Sequence, residues 1–127
     1  MNCRILPHDD AKVIEAEVKR LAGPKVEVRQ MNAPTLSPPS PLRPDVMAIV
    51  EGLTGEMWPG VPVIPSMSTG ATDSRFLRNI GMPVYGVSGL FVEPADYRAH
   101  GLDERITQPA LYAGREFLYR LVKRLAE

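Results

Sequence analysis

Five prolines, Pro34, Pro38, Pro39, Pro41 and Pro44, fall within residues 33–44. Proline locks its own φ and has no N–H to donate, so such a density excludes both helix and central strand. The run reads as an extended connector, and it divides the chain into residues 1–32 and residues 45–127. Each side must then build its own elements.

Before the connector, the short apolar stretch 3–6 predicts a strand ending at Pro7, and His8, Asp9 and Asp10 supply polar starts for a helix. Val13, Ile14, Ala16, Val18 and Leu21 recur near helical spacing over 11–21, and Gly23 with Pro24 stops that helix. Residues 25–30 alternate, with Val26 and Val28 on one face, which is the period of a half-buried strand.

After the connector, Asp45 is placed to cap a helix running to about Thr54, with Val46, Ile49, Val50 and Leu53 as its apolar face. Residues 61–66 and 84–87 predict two further strands, separated by a helix that starts at Thr72 or Asp73 and ends at Gly81. Gly86, Gly89 and Pro94 open a long loop reaching His100 and Gly101. The segment 109–125 carries Leu111, Phe117, Leu118, Leu121, Val122 and Leu125 in one stripe, with Lys123 and Arg124 at the negative end of the helix dipole. Strands alternating with helices predict an α/β fold with an open mixed sheet.

Hydrophobic residues at 44% and charged residues at 24% give an ordinary globular balance. Basic and acidic residues number 15 each, so no net positive field draws nucleic acid or an anionic membrane. One cysteine, Cys3, rules out an internal disulfide and is read as a packing residue. No apolar run is long enough to span a membrane and no signal-peptide pattern opens the chain, so a cytoplasmic location is the default expectation.

Two segments, 66–78 and 100–105, concentrate small, polar and charged residues beside apolar stretches. In an open α/β sheet both would lie on the rim formed by strand carboxyl ends, where ligands gather. Ser68, Thr69, Gly70 and Ala71 form a turn into a helix amino terminus, and Arg75 in its first turn could fork onto a carboxylate. The plain alternative is a helix cap with a solvated arginine. His100 followed by Gly101, with Asp103 and Glu104 nearby, offers a nitrogen donor of the type catalytic zinc sites use. One histidine cannot hold zinc, and His8 sits in a separate polar turn. A serine triad of Ser68, Asp73 and His100 has little support, because Ser68 lies in no Gly-x-Ser-x-Gly elbow.

Taken in order, the motifs are Ser-Thr-Gly-Ala-Thr-Asp-Ser-Arg-Phe (68–76), Ile-Gly-Met-Pro-Val-Tyr-Gly (80–86), His-Gly-Leu-Asp-Glu-Arg-Ile (100–106) and a long terminal helix. This succession resembles metallopeptidase family twenty, the group of carboxypeptidase G, aminoacylase and succinyl-diaminopimelate desuccinylase. Asn-Cys-Arg-Ile-Leu-Pro (2–7) with the helix after it is similar to the last part of that family's lid or dimerisation domain.

The resemblance implies a remnant of an α+β lid domain at 1–32, a connector at 33–44, and the carboxyl-terminal part of a zinc-exopeptidase-like catalytic domain at 45–127. It implies a two-zinc amide hydrolase acting near a free carboxylate, on a peptide or N-acyl amino acid, and a homo-oligomer. It makes His100 a ligand of one zinc. Arg75, Arg4, Gly70 and Thr69 become substrate-binding residues, and Thr72 and Asp73 shape the pocket. The family's remaining ligands and its glutamate general base precede the lid domain and have no counterpart here. No catalytic residue is therefore assigned, and the chain is expected to be the carboxyl-terminal region of a longer enzyme, inactive in isolation. The alternative is a non-catalytic module that self-associates or binds a partner through exposed sheet edges.

Overall fold

A computed structural model describes residues 3–6, 9–68, 70 and 72–127. The chain divides into two compact units, Met1–Pro41 with Ser66–Val84, and Leu42–Pro65 with Tyr85–Glu127.

The first unit holds two helices. Helix α1 spans Ala11–Ala22, and the Asp10 carboxylate accepts the Lys12 N–H at 2.8 Å to cap it. Gly23, at φ 74°, ends it in a conformation that suits glycine. Ile14, Val18 and Ala22 form its half-buried stripe, while Val13 and Leu21 face outward at 63% and 69% exposure. Helix α3 is a short element, Ser74–Asn79, introduced by Thr72, whose hydroxyl accepts the Ser74 N–H, and followed by Gly81 at φ 86°.

The proline-rich connector is tied to residues 78–84 by three side chains. Arg78 donates to the Ser37 hydroxyl from Nε at 3.2 Å and from Nη2 at 2.9 Å. Asn79 donates to the Leu36 carbonyl at 2.9 Å. The Ser40 hydroxyl donates to the Val84 carbonyl at 2.7 Å and accepts the Val84 N–H at 2.9 Å.

The second unit is built on helix α2, Pro44–Met57, packed against helix α4, Gln108–Ala126. Arg43, not Asp45, is the cap of α2. Pro44 opens the helix, where its missing N–H costs nothing, and Asp45 lies in the first turn, ion-paired with Arg43. The Thr107 hydroxyl caps α4 by accepting the Ala110 N–H at 3.3 Å. Val50 and Leu53 of α2 meet Phe117 and Leu121 of α4 to form the buried core, with Val46, Ile49, Met57, Trp58, Val63 and Val87 against it. Burying a side chain such as Leu53 or Phe117 contributes about 1.5–3 kcal/mol. Glu56 of α2 clamps the same pair of helices, accepting from Arg124 at 2.8 and 2.9 Å and from Arg120.

Trp58 follows α2 and stands edge-on to Phe91 at 4.7 Å and tilted against Phe117 at 5.4 Å. Residues 89–91 approach α4 closely. A Cβ on Gly89, which sits at φ 63°, would lie 2.7 Å from the Phe117 ring, and one on Gly114 would overlap Leu90.

The expected α/β fold is corrected by this architecture. Four α-helices and one 3-10 turn, Pro94–Asp96, are present, and no strand occurs among the described residues. Stretches 3–6, 25–30, 61–66 and 84–87 are without regular structure wherever they are described. Apolar alternation selects a face but supplies no partner, and a strand exists only where another backbone hydrogen-bonds to it. At Val84 both backbone groups are taken by a serine hydroxyl instead. Among the described residues there is then no rim of strand ends to gather ligands, and no sheet edge through which to associate.

Candidate functional site

The predicted residues fall in both units. In the first, Arg4 is exposed in the stretch 3–6, and Thr69 and His8 lie outside the described residues. Gly70 is exposed, and its N–H donates to the Ser68 hydroxyl at 3.1 Å, so this amide already has a partner. The Thr72 hydroxyl donates to Ser74 Oγ at 2.7 Å, and Asp73 makes no side-chain cap. Cys3 is exposed rather than packed.

Arg75 is the most informative of this group. Its guanidinium stands 4.7 Å above the Phe76 ring, and its Nε is buried with no hydrogen-bond partner among the described residues. A buried N–H without an acceptor costs free energy, because water that solvated it in the unfolded chain has been removed. The guanidinium thus lies over a ring face, with this one donor unused among the described residues. Arg78, three residues on, is by contrast committed to Ser37.

In the second unit, His100 is exposed at the third position of a four-residue turn, in which the Gly101 N–H donates to the Arg98 carbonyl at 2.9 Å. Its φ is 65°, the one positive value at a non-glycine residue among the described residues. A Cβ on Gly101 would stand 3.1 Å from the Arg98 carbonyl oxygen, so the turn is tight at this glycine.

Around this turn lies a charge network that sequence inspection passed over. Arg105 forks onto Asp96, from Nη2 at 2.6 Å and from Nε at 3.1 Å. Arg98 donates from Nε to Asp96 at 2.7 Å and from Nη1 to Asp103. The Arg105 hydrogen bonds, followed by those of Arg98, hold the Asp96 carboxyl well below its ordinary value, at about 2. Arg98 and Arg105 are correspondingly raised, chiefly by Asp96. The signal was present as Asp-x-Arg at 96–98 and Asp-x-Arg at 103–105, but such spacing ordinarily means solvated loop charges. A cleft of about 460 Å³ opens beside the network, lined by Phe91, Val92, Ile106, Glu93, Asp96 and Arg105.

Among the described residues no group of three histidine, cysteine, aspartate or glutamate side chains could hold a metal ion. Asp103, the carboxylate nearest to His100 in the motif, is engaged by Arg98. The donors present therefore do not fit a resident metal by themselves. No helix among the described residues is long and apolar enough to cross a membrane.

A sequence model of peptidase family M20/M25/M40 matches residues 5–124. The chain is similar to the N-fatty-acyl-amino acid synthase/hydrolase of Xenopus tropicalis, at 27% identity over 129 residues, covering 97% of this chain and 25% of that protein. It is likewise similar to the enzyme of the same name from Homo sapiens, at 27% identity over 128 residues, covering 97% of this chain and 26% of that protein. The chain thus spans about a quarter of the length of these relatives. No solved structure matches it significantly.

Proposed function

The chain belongs to peptidase family M20/M25/M40, a family of hydrolases, and from that premise we propose that it is the carboxyl-terminal region of a zinc-dependent enzyme cleaving the amide bond of an N-acyl amino acid. Both relatives carry names that pair an acyl group with an amino acid, a substrate that has one amide and one free carboxylate. This favours the aminoacylase side of the family over a carboxypeptidase or dipeptidase. Residues 1–32 correspond in this proposal to the lid or dimerisation part, and residues 45–127 to the catalytic part.

The observation that carries the substrate class is Arg75, whose guanidinium lies over the Phe76 ring and has one buried donor without a partner among the described residues. A planar fork of this kind matches a carboxylate, and an incoming anion would satisfy the donor that now lacks a partner. Arg4, exposed, is assigned as a second guanidinium toward the same kind of anion, with Thr69 and Gly70 as further substrate-binding residues. The Gly70 amide would have to exchange its Ser68 partner for the substrate.

His100 is assigned as one nitrogen donor to zinc. No group of three ligating side chains gathers among the described residues, so the isolated chain is expected to be inactive. Zinc in a complete site would polarise the scissile carbonyl and activate water.

A chimera in which this chain replaces the matching quarter of the Xenopus relative tests these assignments. Hydrolysis of an N-acyl amino acid that is lost in His100→Ala, and a KM raised at least several-fold in Arg75→Lys, are the expected results. Unchanged kinetics in both variants would sink the assignments.

Self-association is a second reading, favoured by the outward residues of α4. Leu111, Tyr112, Tyr119, Val122 and Leu125 are each 49% to 66% exposed. Sedimentation that stays monomeric across a concentration series would dispose of it.

A further inference from the structure

The cleft beside the arginine–aspartate network has no part in the assignments made above, and the state of its charges selects a ligand. Phe91, Val92 and Ile106 are its apolar lining, and Glu93, Asp96 and Arg105 are charged groups at it. A second cleft, of about 360 Å³, shares Val92, Arg105 and Ile106 with the first and adds Arg98 and Glu104. Both volumes fall in the range of small-molecule sites, about 300–1,000 Å³. Phe91, Val92 and Ile106 are all exposed, so the apolar lining is open to an incoming hydrocarbon.

The cations at these clefts are already committed. Arg105 places Nε and Nη2 on Asp96, and Arg98 divides its guanidinium between Asp96 and Asp103. The network is therefore neutral within itself. Glu93 and Glu104, by contrast, make no ion pair or side-chain hydrogen bond among the described residues. An anion would have to displace Asp96 from a fork that is already filled, whereas a cation meets a carboxylate with no protein partner to lose. The backbone holds Glu93 at this place. Its carbonyl accepts the Asp96 N–H at 2.8 Å, and Pro94 opens the 3-10 turn with a fixed φ.

We propose that the larger cleft binds a small aliphatic amine in its ammonium form, with the hydrocarbon against Phe91, Val92 and Ile106 and the charged head against the Glu93 carboxylate. Hydrocarbon burial supplies affinity, and the uncommitted carboxylate supplies the choice of sign. Glu104 in the neighbouring cleft adds to the same negative field.

The test uses the full chain, ¹³C-labelled at valine and isoleucine methyls, titrated with hexylammonium chloride at neutral pH and low salt. The Val92 and Ile106 methyl resonances should shift and saturate, while those of Val50 in the core stay in place and report an intact fold in every variant. Glu93→Gln should weaken the apparent affinity about two- to fivefold, the worth of one exposed ion pair, and high salt should act in the same direction. Glu51→Gln, which removes the same charge from an exposed position of α2, should change nothing. Hexanoate, of equal length and opposite charge, should bind more weakly than hexylammonium.

Hexanoate that shifts these methyls as readily as hexylammonium would overturn the choice of a cation. An affinity untouched by Glu93→Gln, or lowered equally by Glu51→Gln, would remove Glu93 as the counter-ion and the proposal with it. No saturable shift at Val92 and Ile106 at millimolar hexylammonium would dispose of the site itself. Neither metal nor N-acyl amino acid enters the titration, so none of these outcomes depends on the roles assigned to Arg75 and His100.

Discussion

Gly89 stands against Phe117 so closely that a Cβ on the glycine would lie 2.7 Å from ring atoms Cγ and Cδ1 and 2.8 Å from the phenylalanine Cβ. Phe117 is 2% exposed and has nowhere to move, and Gly89 is at φ 63°, where an L side chain is strained. Gly89→Ala is therefore expected to destabilise by about 2–4 kcal/mol, the sum of overpacking and backbone strain. Gly114→Ala is the control. The Cβ there overlaps the end of Leu90, which is 40% exposed and can swing aside, and alanine gains about 1 kcal/mol as a helix former. Its change should stay within about 1 kcal/mol by urea denaturation.

Ser40→Ala removes one hydroxyl that serves both backbone groups of Val84. The site is partly buried, so water replaces the lost partner incompletely, and a loss of about 1 kcal/mol is expected. Hydrogen exchange at the Val84 amide should accelerate about tenfold or less, in proportion to that loss. An unchanged exchange rate would show that the hydroxyl holds nothing.

Acid should release two clamps. Glu56 is lowered from 4.5, chiefly by its Arg124 hydrogen bond, and Asp96 is lowered from 3.8 to about 2, chiefly by Arg105 and then by Arg98. Both are depressed carboxylates, so their stabilisation is fully present above the ordinary value and disappears as pH falls through the folded one. Thermal melts should lose Tm from about pH 4.5 downward, and the component between 3.8 and about 2 should be missing in Asp96→Asn. A high-salt buffer should flatten both slopes, because the pairs are exposed.

His100→Gly should separate stability from function. Glycine adopts a positive φ without penalty, so this variant should be as stable as wild type or more so, by up to about 1 kcal/mol. Hydrolysis by the chimera that carries it should nevertheless be lost. A stabilised variant whose chimera is inactive would mark the turn as one held under strain for use, whereas a destabilised one would show the imidazole packing to be structural.

The helices were legible because their signals are local. Asp10, Gly23, Thr72 and Gly81 mark boundaries by what a single residue can do at a helix end, and the spacing of Val46, Ile49, Val50 and Leu53 fixes a face. The strands were not, because Val26 and Val28, or Val84 and its neighbours, announce an apolar side without naming what lies alongside. Ser40 answers for Val84 from 44 residues away, and nothing in either segment reveals that.

At the site, the sequence drew the eye to His100 and Arg75 by residue type. It hid the arginine–aspartate network because charges two residues apart look the same whether solvated or locked. Nor does any residue type in the His-Gly pair announce that the left-handed backbone falls on the histidine.

Trp58 is the one tryptophan of the chain, and it is wedged between Phe91, from the stretch leading into the His100 loop, and Phe117 of the core helix. Its indole emission is thus a built-in optical gauge of how that stretch is seated. Loosening at residues 89–91 would shift the emission to longer wavelength while the helical circular dichroism held steady, so a single cuvette could tell detachment of the loop from melting of the helices.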